Sequence, residues 1–389
     1  MEKRPSDHTA AVTDAERTFE ELSDEYTIRW YGDDDRAAFM DLFELGFSDR
    51  HPDWFAWKYE GTPYSDRVPV IVAEKDGAVA AIRPFMPLDL QVGDQRLPVL
   101  MPVDLVVHPD HRRKGLMTTL TRSMKSGLWD DYAATFTFAN TASRDGIVKM
   151  TDERWPTYDL GEYVKYERIN NPAAFFANES RPRRVAAEAL TPLYRARNHL
   201  RDRLVDDDAA VTIARFDDVP TSLLVDLYER APPTVPHVAR DEEFYGWRFD
   251  EPGWSFVTYV AHRDETPVAA VVVGSRTGET AISKAYLFEI LPLVSEAADA
   301  AVFSSLLGRI KTDYASVDQL CAAAGSIPDA VFAAHGFARS DALPFSKLVD
   351  PAYLVVSVLG NSPDPETTAR LCGDGDAVWE TPVCVRLLG

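Results

Sequence analysis

The feature that most constrains this chain is that it repeats itself. DWFAWKYEGTP at 53–63 returns as EFYGWRFDEPG at 243–253, aligning Trp57 with Trp247 and Tyr59 with Phe249, 190 residues on. YTIRWYGDDDRAAFMDLFE (26–44) returns as VTIARFDDVPTSLLVDLYE (211–229) at an offset of 185, and DDYAATFTFAN (130–140) as TDYASVDQLCA (312–322) at 182. Three blocks in one order, their offsets drifting by a few residues, are two diverged copies of one unit with loop insertions and deletions between them. The copies predict a first domain over 25–168, a helical, Arg-rich connector over 169–208 and a second domain over 209–389. A flexible N-terminal tail (1–24) precedes them.

Charge narrows the partners. With 41 Lys+Arg against 62 Asp+Glu, the 389-residue chain carries a formal net charge of −21. Such a surface repels phosphate backbones and anionic headgroups, which argues against nucleic-acid and membrane-surface binding. Three cysteines (Cys321, Cys372, Cys384) are too few and too scattered for a disulfide framework or zinc cage. No apolar run reaches the roughly 20 residues of a membrane span, and the N-terminus lacks a signal-peptide core, so the expected setting is cytoplasmic. Only 10 of the 41 basic residues are Lys. A dispersed acidic excess with few lysines resembles halophilic proteins, whose self-repulsion is screened by molar salt.

Within the first copy, the pattern predicts a strand at 26–31 and a helix at 34–47, with Phe39, Leu42, Phe43 and Phe47 at helical spacing. A short helix then carries Trp54 and Trp57. A hairpin turns at Lys75-Asp76-Gly77, and a further strand ends at Val107. A helix follows with Leu116, Leu120, Met124 and Leu128 along one face, then a strand at 134–139 and a helix at 142–154. Late in the chain, YLVVSVLG and VCVRLL both read as strands that complete a sheet of either copy. The fold class is α/β, with mixed central sheets flanked by helices.

The chemistry concentrates in VDLVVHPDHRRKGLMTTLTRSM (103–124). A buried strand is stopped by Pro109, and Arg112-Arg113-Lys114-Gly115 leads straight into the amphipathic helix. The first N–H groups of a helix lack partners and carry the positive end of its dipole. Gly115 permits close backbone approach, and three cations add charge in a chain that otherwise avoids it. The natural guest is a diphosphate.

VVHPDHRRKGLMTTL resembles the acetyl-CoA signature of the GNAT (Gcn5-related) N-acetyltransferases, a strand, then V-x-P-x-x-R/Q-x-x-G-x-G/A, then a helix. The match runs through Val107, Pro109, Arg112 and Gly115, and departs at Met117, where the family has a small residue. The order of elements over 26–168 is similar too, most of all to the tandem subgroup in which a catalytic GNAT domain precedes a degenerate one. The resemblance implies an acetyl-CoA-dependent N-acetyltransferase acting on a primary amine of a small molecule, amino sugar or peptide, without a metal. It places the pantetheine and thioester along Leu105, Val106 and Val107. It places the pyrophosphate over Arg112, Arg113, Lys114, Gly115, Leu116, Met117 and Thr118, with Asn140 near the pantetheine arm. Three other readings stay open: a non-catalytic CoA-binding sensor, a Fem-like aminoacyl transferase, and an O-acyltransferase.

Acid and base are harder to assign. The family frequently has a Tyr seven residues after the Asn, as thiolate protonator; here that position is Ile147, leaving Tyr158 or Tyr163 as substitutes. Asp104 is the one carboxylate in the apolar run Val103–Val107, and a carboxylate there needs a partner or a function. Strand alternation puts it on the face of Val106 and His108, as base or amine anchor, with a structural Asp bonded to a loop as the alternative. His108 and His111, with no other ligand nearby, read as loop histidines rather than a metal pair. Trp54, Trp57 and Tyr59, with Glu60 and Asp66 close by, suggest an aromatic wall for a cationic amine. Because Trp247 repeats Trp57, Trp57 reads as core and Trp54 as the substrate-facing residue. The second copy has Ser295, Glu296, Ala297 and Ala298 where the first has Arg112 to Gly115, and is expected not to bind CoA.

Overall fold

The computed structural model describes residues 25–47, 50–123, 131–151, 155–176, 181–202, 210–276, 282–293, 299–325, 327–343, 346, 350–359, 364–373, 379–380 and 383–388. The tail 1–24 and the segment 295–298 therefore lie outside the described residues.

The first half begins with β1 (Thr27–Trp30) and α1 (Arg36–Glu44), whose Phe39, Leu42 and Phe43 are buried at the predicted spacing. A wide π-type turn, Ala56–Glu60, follows. β2 (Val70–Lys75) and β3 (Ala78–Val92) form the expected hairpin, with Asp76 and Gly77 both at positive φ as a tight hairpin turn requires. Then come β4 (Gln95–Pro102), β5 (Val106–Val107), α2 (Leu116–Ser123), β6 (Ala134–Asn140), α3 (Thr141–Lys149) and β7 (Thr157–Glu162).

β8 (Lys165–Ile169) and the long α4 (Arg181–Asp202) lead to the second half. Its elements are β9 (Thr212–Phe216), α5 (Thr221–Arg230), β10 (His237–Val238), α6 (Glu242–Arg248), β11 (Ser255–Arg263), β12 (Thr266–Ser275), β13 (Lys284–Leu291), α7 (Ala300–Asp313), β14 (Gln319–Ala323), α8 (Asp329–Ala334) and β15 (Ala338–Arg339). β16 (Ala352–Val358), α9 (Pro365–Leu371) and α10 (Val383–Arg386) end the chain. VCVRLL, expected as a strand, forms α10 instead. A six-residue run with a single charge, Arg386, is too short for a period that separates the two.

The main path of the first sheet is β1-β2-β3-β4-β6-β16-β7, with β5 also on β3; the second is β9-β11-β12-β13-β14-β8-β15. Position by position the two orders match, including one parallel pair each, β4 with β6 and β13 with β14. The sixth strand of each breaks the simple tandem. β8 follows β7 in the chain but pairs with β14 and β15, whereas β16 follows β15 but belongs to the first sheet. The chain divides into a unit of Met1–Leu160, Leu354–Asp376 and Leu388–Gly389 and a unit of Gly161–Tyr353 and Ala377–Leu387. The boundaries expected at 168 and 209 are thus displaced. The first sheet's core holds Ile28, Ile71, Ala81, Phe85, Leu116 and Leu120; the second's is built on Tyr259, Val271, Leu287, Phe303 and Leu320. Among the described residues no helix is long and apolar enough to cross a membrane.

Candidate active site

The site grows from one irregularity in the first sheet. Phe85 pairs with Pro102, and Ile82 pairs with Val106, so two residues of β3 face the three residues Val103, Asp104 and Leu105. This is a one-residue bulge, with Asp104 at φ +44. It overturns the alternation assumed for Asp104, because Val103–Leu105 leave the ladder. The main chain of Leu105 is thereby free of strand pairing.

A second irregularity opens the sheet. β4 and β6 pair in parallel at Val99–Ala134 and Leu100–Thr135, and the pairing stops there. A contact of 3.5 Å from Thr137 Oγ1 to the Pro102 carbonyl is the last link. Beyond it, 103–107 and 136–140 have no ladder between them, which leaves a V-shaped opening.

α2 begins at the mouth of that opening. Arg113 (φ +62) and Gly115 (φ +83) are left-handed, and a Cβ added at Gly115 would meet nothing within 4 Å. The first intrahelical bond runs from Thr119 N to Gly115 O at 2.9 Å, so the preceding amides have no helical acceptors. Arg112 anchors the loop through Nε to the Val107 carbonyl, 3.1 Å, and Arg113 and Lys114 are exposed. Leu116 and Leu120 fix the helix to the sheet through the buried core. Met117 lies beside α3, its Cε 3.7 Å from where a Cβ on Gly146 would stand. Its length is taken up along the neighbouring helix. Asn140 ends β6 and caps α3, its Oδ1 accepting from Ser143 N at 2.9 Å.

Asp104 is buried and bonded. Lys58 Nζ and Tyr59 Oη each donate to Oδ2 at 2.5 Å, and Lys58 and Asp104 side chains are 5% and 4% exposed. Burial, then the charge of Asp104, push the Tyr59 hydroxyl well above its ordinary pKa, so it stays a donor. Sequence reading missed Lys58 and took Tyr59 for part of an aromatic wall rather than a donor to Asp104, although a lysine between Trp57 and Tyr59 in a lysine-poor chain was a usable signal. Trp54, expected to face substrate, is 2% exposed and packs on Phe43 and Tyr59. That expectation is corrected: Trp54 is core, and Trp57 is the more exposed of the two at 9%. Glu60 is taken by Arg36 at 3.0 Å.

Tyr158 is not brought to the opening. Its neighbour Thr157 bonds Ser357 on the α3 side of the sheet, and alternation turns Tyr158 to the other face, where it bonds Cys372. Tyr163 is buried in the second unit, and burial raises its hydroxyl. His108 Nδ1 accepts from Asp110 N, and His111 Nδ1 meets Tyr26 Oη at 2.9 Å. Among the described residues no group of three or more His, Cys, Asp or Glu could hold a metal.

The second sheet has the same bulge, since Val272 pairs with Glu289 and Val273 with Leu287, leaving Phe288 extra. Here Glu289 is fully buried against Arg240 at 2.8 Å, and Cys384 Sγ of α10 donates to it at 3.3 Å. In the second sheet, β13, the counterpart of the strand beside Leu105, is therefore covered by α10.

Residues 27–137 match the family described as the Acetyltransferase (GNAT) domain. No curated protein sequence matches the chain. Among solved structures, it is similar to a GCN5-related N-acetyltransferase from Anabaena variabilis (10% identity, 85% of this chain and 72% of that one, TM-score 0.54). It is also similar to an Enterococcus faecalis protein described as a probable N-acyltransferase (12%, 86% and 73%, 0.58). A third likeness is to Saccharomyces cerevisiae N-myristoyltransferase with bound myristoyl-CoA (13%, 87% and 80%, 0.56). The chain has the GNAT-superfamily acetyltransferase fold, with two GNAT-like sheets in tandem.

Proposed function

We propose that the first unit is a CoA-dependent N-acyltransferase, with acetyl-CoA as its simplest donor and a primary amine as acceptor. The observation that carries this reading is the opening between 103–107 and 136–140 with the Gly115 helix start at its mouth. The free amides of Arg113 to Met117, with Arg112 and Lys114, suit the pyrophosphate, and Leu116 and Thr118 continue that contact. The unpaired main chain of Leu105, with Val106 and Val107, suits the pantetheine and the thioester carbonyl, and Asn140 borders the same opening. The amine nitrogen attacks the thioester carbon, the C–S bond breaks, and the proton lost by the amine balances the one gained by the thiolate. Catalysis is then mainly positioning. Asp104 has Oδ2 occupied by two donors and Oδ1 left for the acceptor ammonium. The second unit, its equivalent strand covered by α10, is a degenerate partner.

The test is thiol release from acetyl-CoA with a panel of amines, amino sugars and peptides. Amine-dependent release is expected. CoA binding without release from any acceptor would favour the sensor reading instead.

A salt titration belongs with it. The −21 charge and the scarcity of Lys lead us to expect that stability and rate both rise from dilute buffer toward molar KCl, as screening removes self-repulsion. Full stability and rate in dilute buffer would reject a halophilic origin.

A further inference from the structure

Arg83 lies on β3 directly opposite the bulge, on the face that carries α2. Its guanidinium lines a cavity of about 30 Å³ with Pro102, Thr121, Thr137, Ile147 and Ser357. That volume holds about two waters. Among the described residues no side chain or carbonyl accepts a hydrogen bond from Arg83. Arg83 is half-buried, its Nε is buried without a partner, and its guanidinium carbon lies 5.8 Å from the centre of the Phe85 ring. Burial draws its pKa down to about 10, opposed by the charge of Asp104. A cation in that setting calls for an anion, and a guanidinium fork matches a carboxylate best.

The cavity's place says which carboxylate. Pro102 and Thr137 are where β4 and β6 converge, so the cavity lies at the closed apex of the opening. A donor with its pyrophosphate at Gly115 and its thioester near Leu105 directs its acyl group toward that apex. We infer that this protein transfers a short acyl group ending in a carboxylate, of the malonyl or succinyl type, and that Arg83 is the residue that reads it. This rests on the acyltransferase reading above. The step is unchanged: the amine takes the carboxyacyl group, the C–S bond breaks, and CoA leaves as the thiol. The small volume excludes a long fatty chain.

Calorimetry on the full chain with CoA, butyryl-CoA and succinyl-CoA tests this without needing the acceptor. Succinyl-CoA is expected to bind roughly 10–100-fold tighter than butyryl-CoA, the range for a charge-assisted hydrogen bond. Arg83→Met should erase that ratio and leave affinity for CoA itself unchanged. Arg83→Lys, which keeps the charge but not the fork, should retain part of it. If Arg83→Met does not fold, the wild-type ratio and Arg83→Lys decide. Equal affinities for the two thioesters, with CoA bound normally, would overturn the carboxyacyl proposal and leave the acyltransferase standing. Failure of CoA itself to bind would overturn both. A dependence on Arg83 seen only with carboxylate-bearing acceptors would also overturn it, by moving the carboxylate from donor to acceptor.

Discussion

Gly115→Glu is expected to abolish CoA binding, while one CoA binds per wild-type chain. Gly115 has φ +83, where a side chain is strained by about 1–2 kcal/mol. A Cβ there meets no neighbour within 4 Å, so the fold tolerates the change. What the variant loses is the site: a carboxylate stands where two phosphates need free amides and cations, at the positive end of α2. Gly115→Ala separates the parts, adding strain and bulk without charge, and should weaken binding less. Ala298→Glu, in the second copy's counterpart of the loop, should leave CoA binding intact. Titration calorimetry with a thermal melt on each variant reads both properties. Two CoA sites per chain, or equal loss in the 115 and 298 variants, would mean that the active half is wrongly assigned.

What the sequence made legible is what has a period or a paired motif. The repeat announced two sheets of one order, and the spacing of Phe39, Leu42 and Phe43 or of Leu116 and Leu120 announced their helices. The loop from Val107 to Gly115 was readable because its Pro, its cations and its Gly each have a local cause. The exchange of β8 and β16 was not readable. Alternation says that a segment is a strand, and says nothing of which sheet has the gap for it. The bulge at Asp104 hid for a related reason: an extra residue shifts the alternation by one, and only the pairing of 82 with 106 reveals it. Trp57 is buried as the repeat indicated, but Trp54 was misread because the repeat says nothing of its neighbours, and it is buried more deeply still. Arg83 was passed over because a single cation in an apolar strand reads as a surface residue until its lack of partners is seen.

Asp104→Asn is expected to destabilise the first unit by about 3–5 kcal/mol, the usual cost of removing one partner from a buried ion pair. The ammonium of Lys58, 5% exposed over the Trp54 ring, would be left buried beside a neutral amide. Urea unfolding measures this, and adding Lys58→Met should recover most of the loss, because no charge then remains unpaired. The folded double variant isolates the chemistry. If Asp104 Oδ1 meets the acceptor, thiol release should fall by roughly 10²–10⁴-fold, the range for a lost general base, with CoA affinity unchanged. The coupling decides between roles, since a purely structural pair is repaired by removing both charges and a functional carboxylate is not. Wild-type turnover in a stable double variant would take Asp104 out of the acceptor site and leave it as the anchor of the bulge. A single variant as stable as wild type would contradict the buried pair itself.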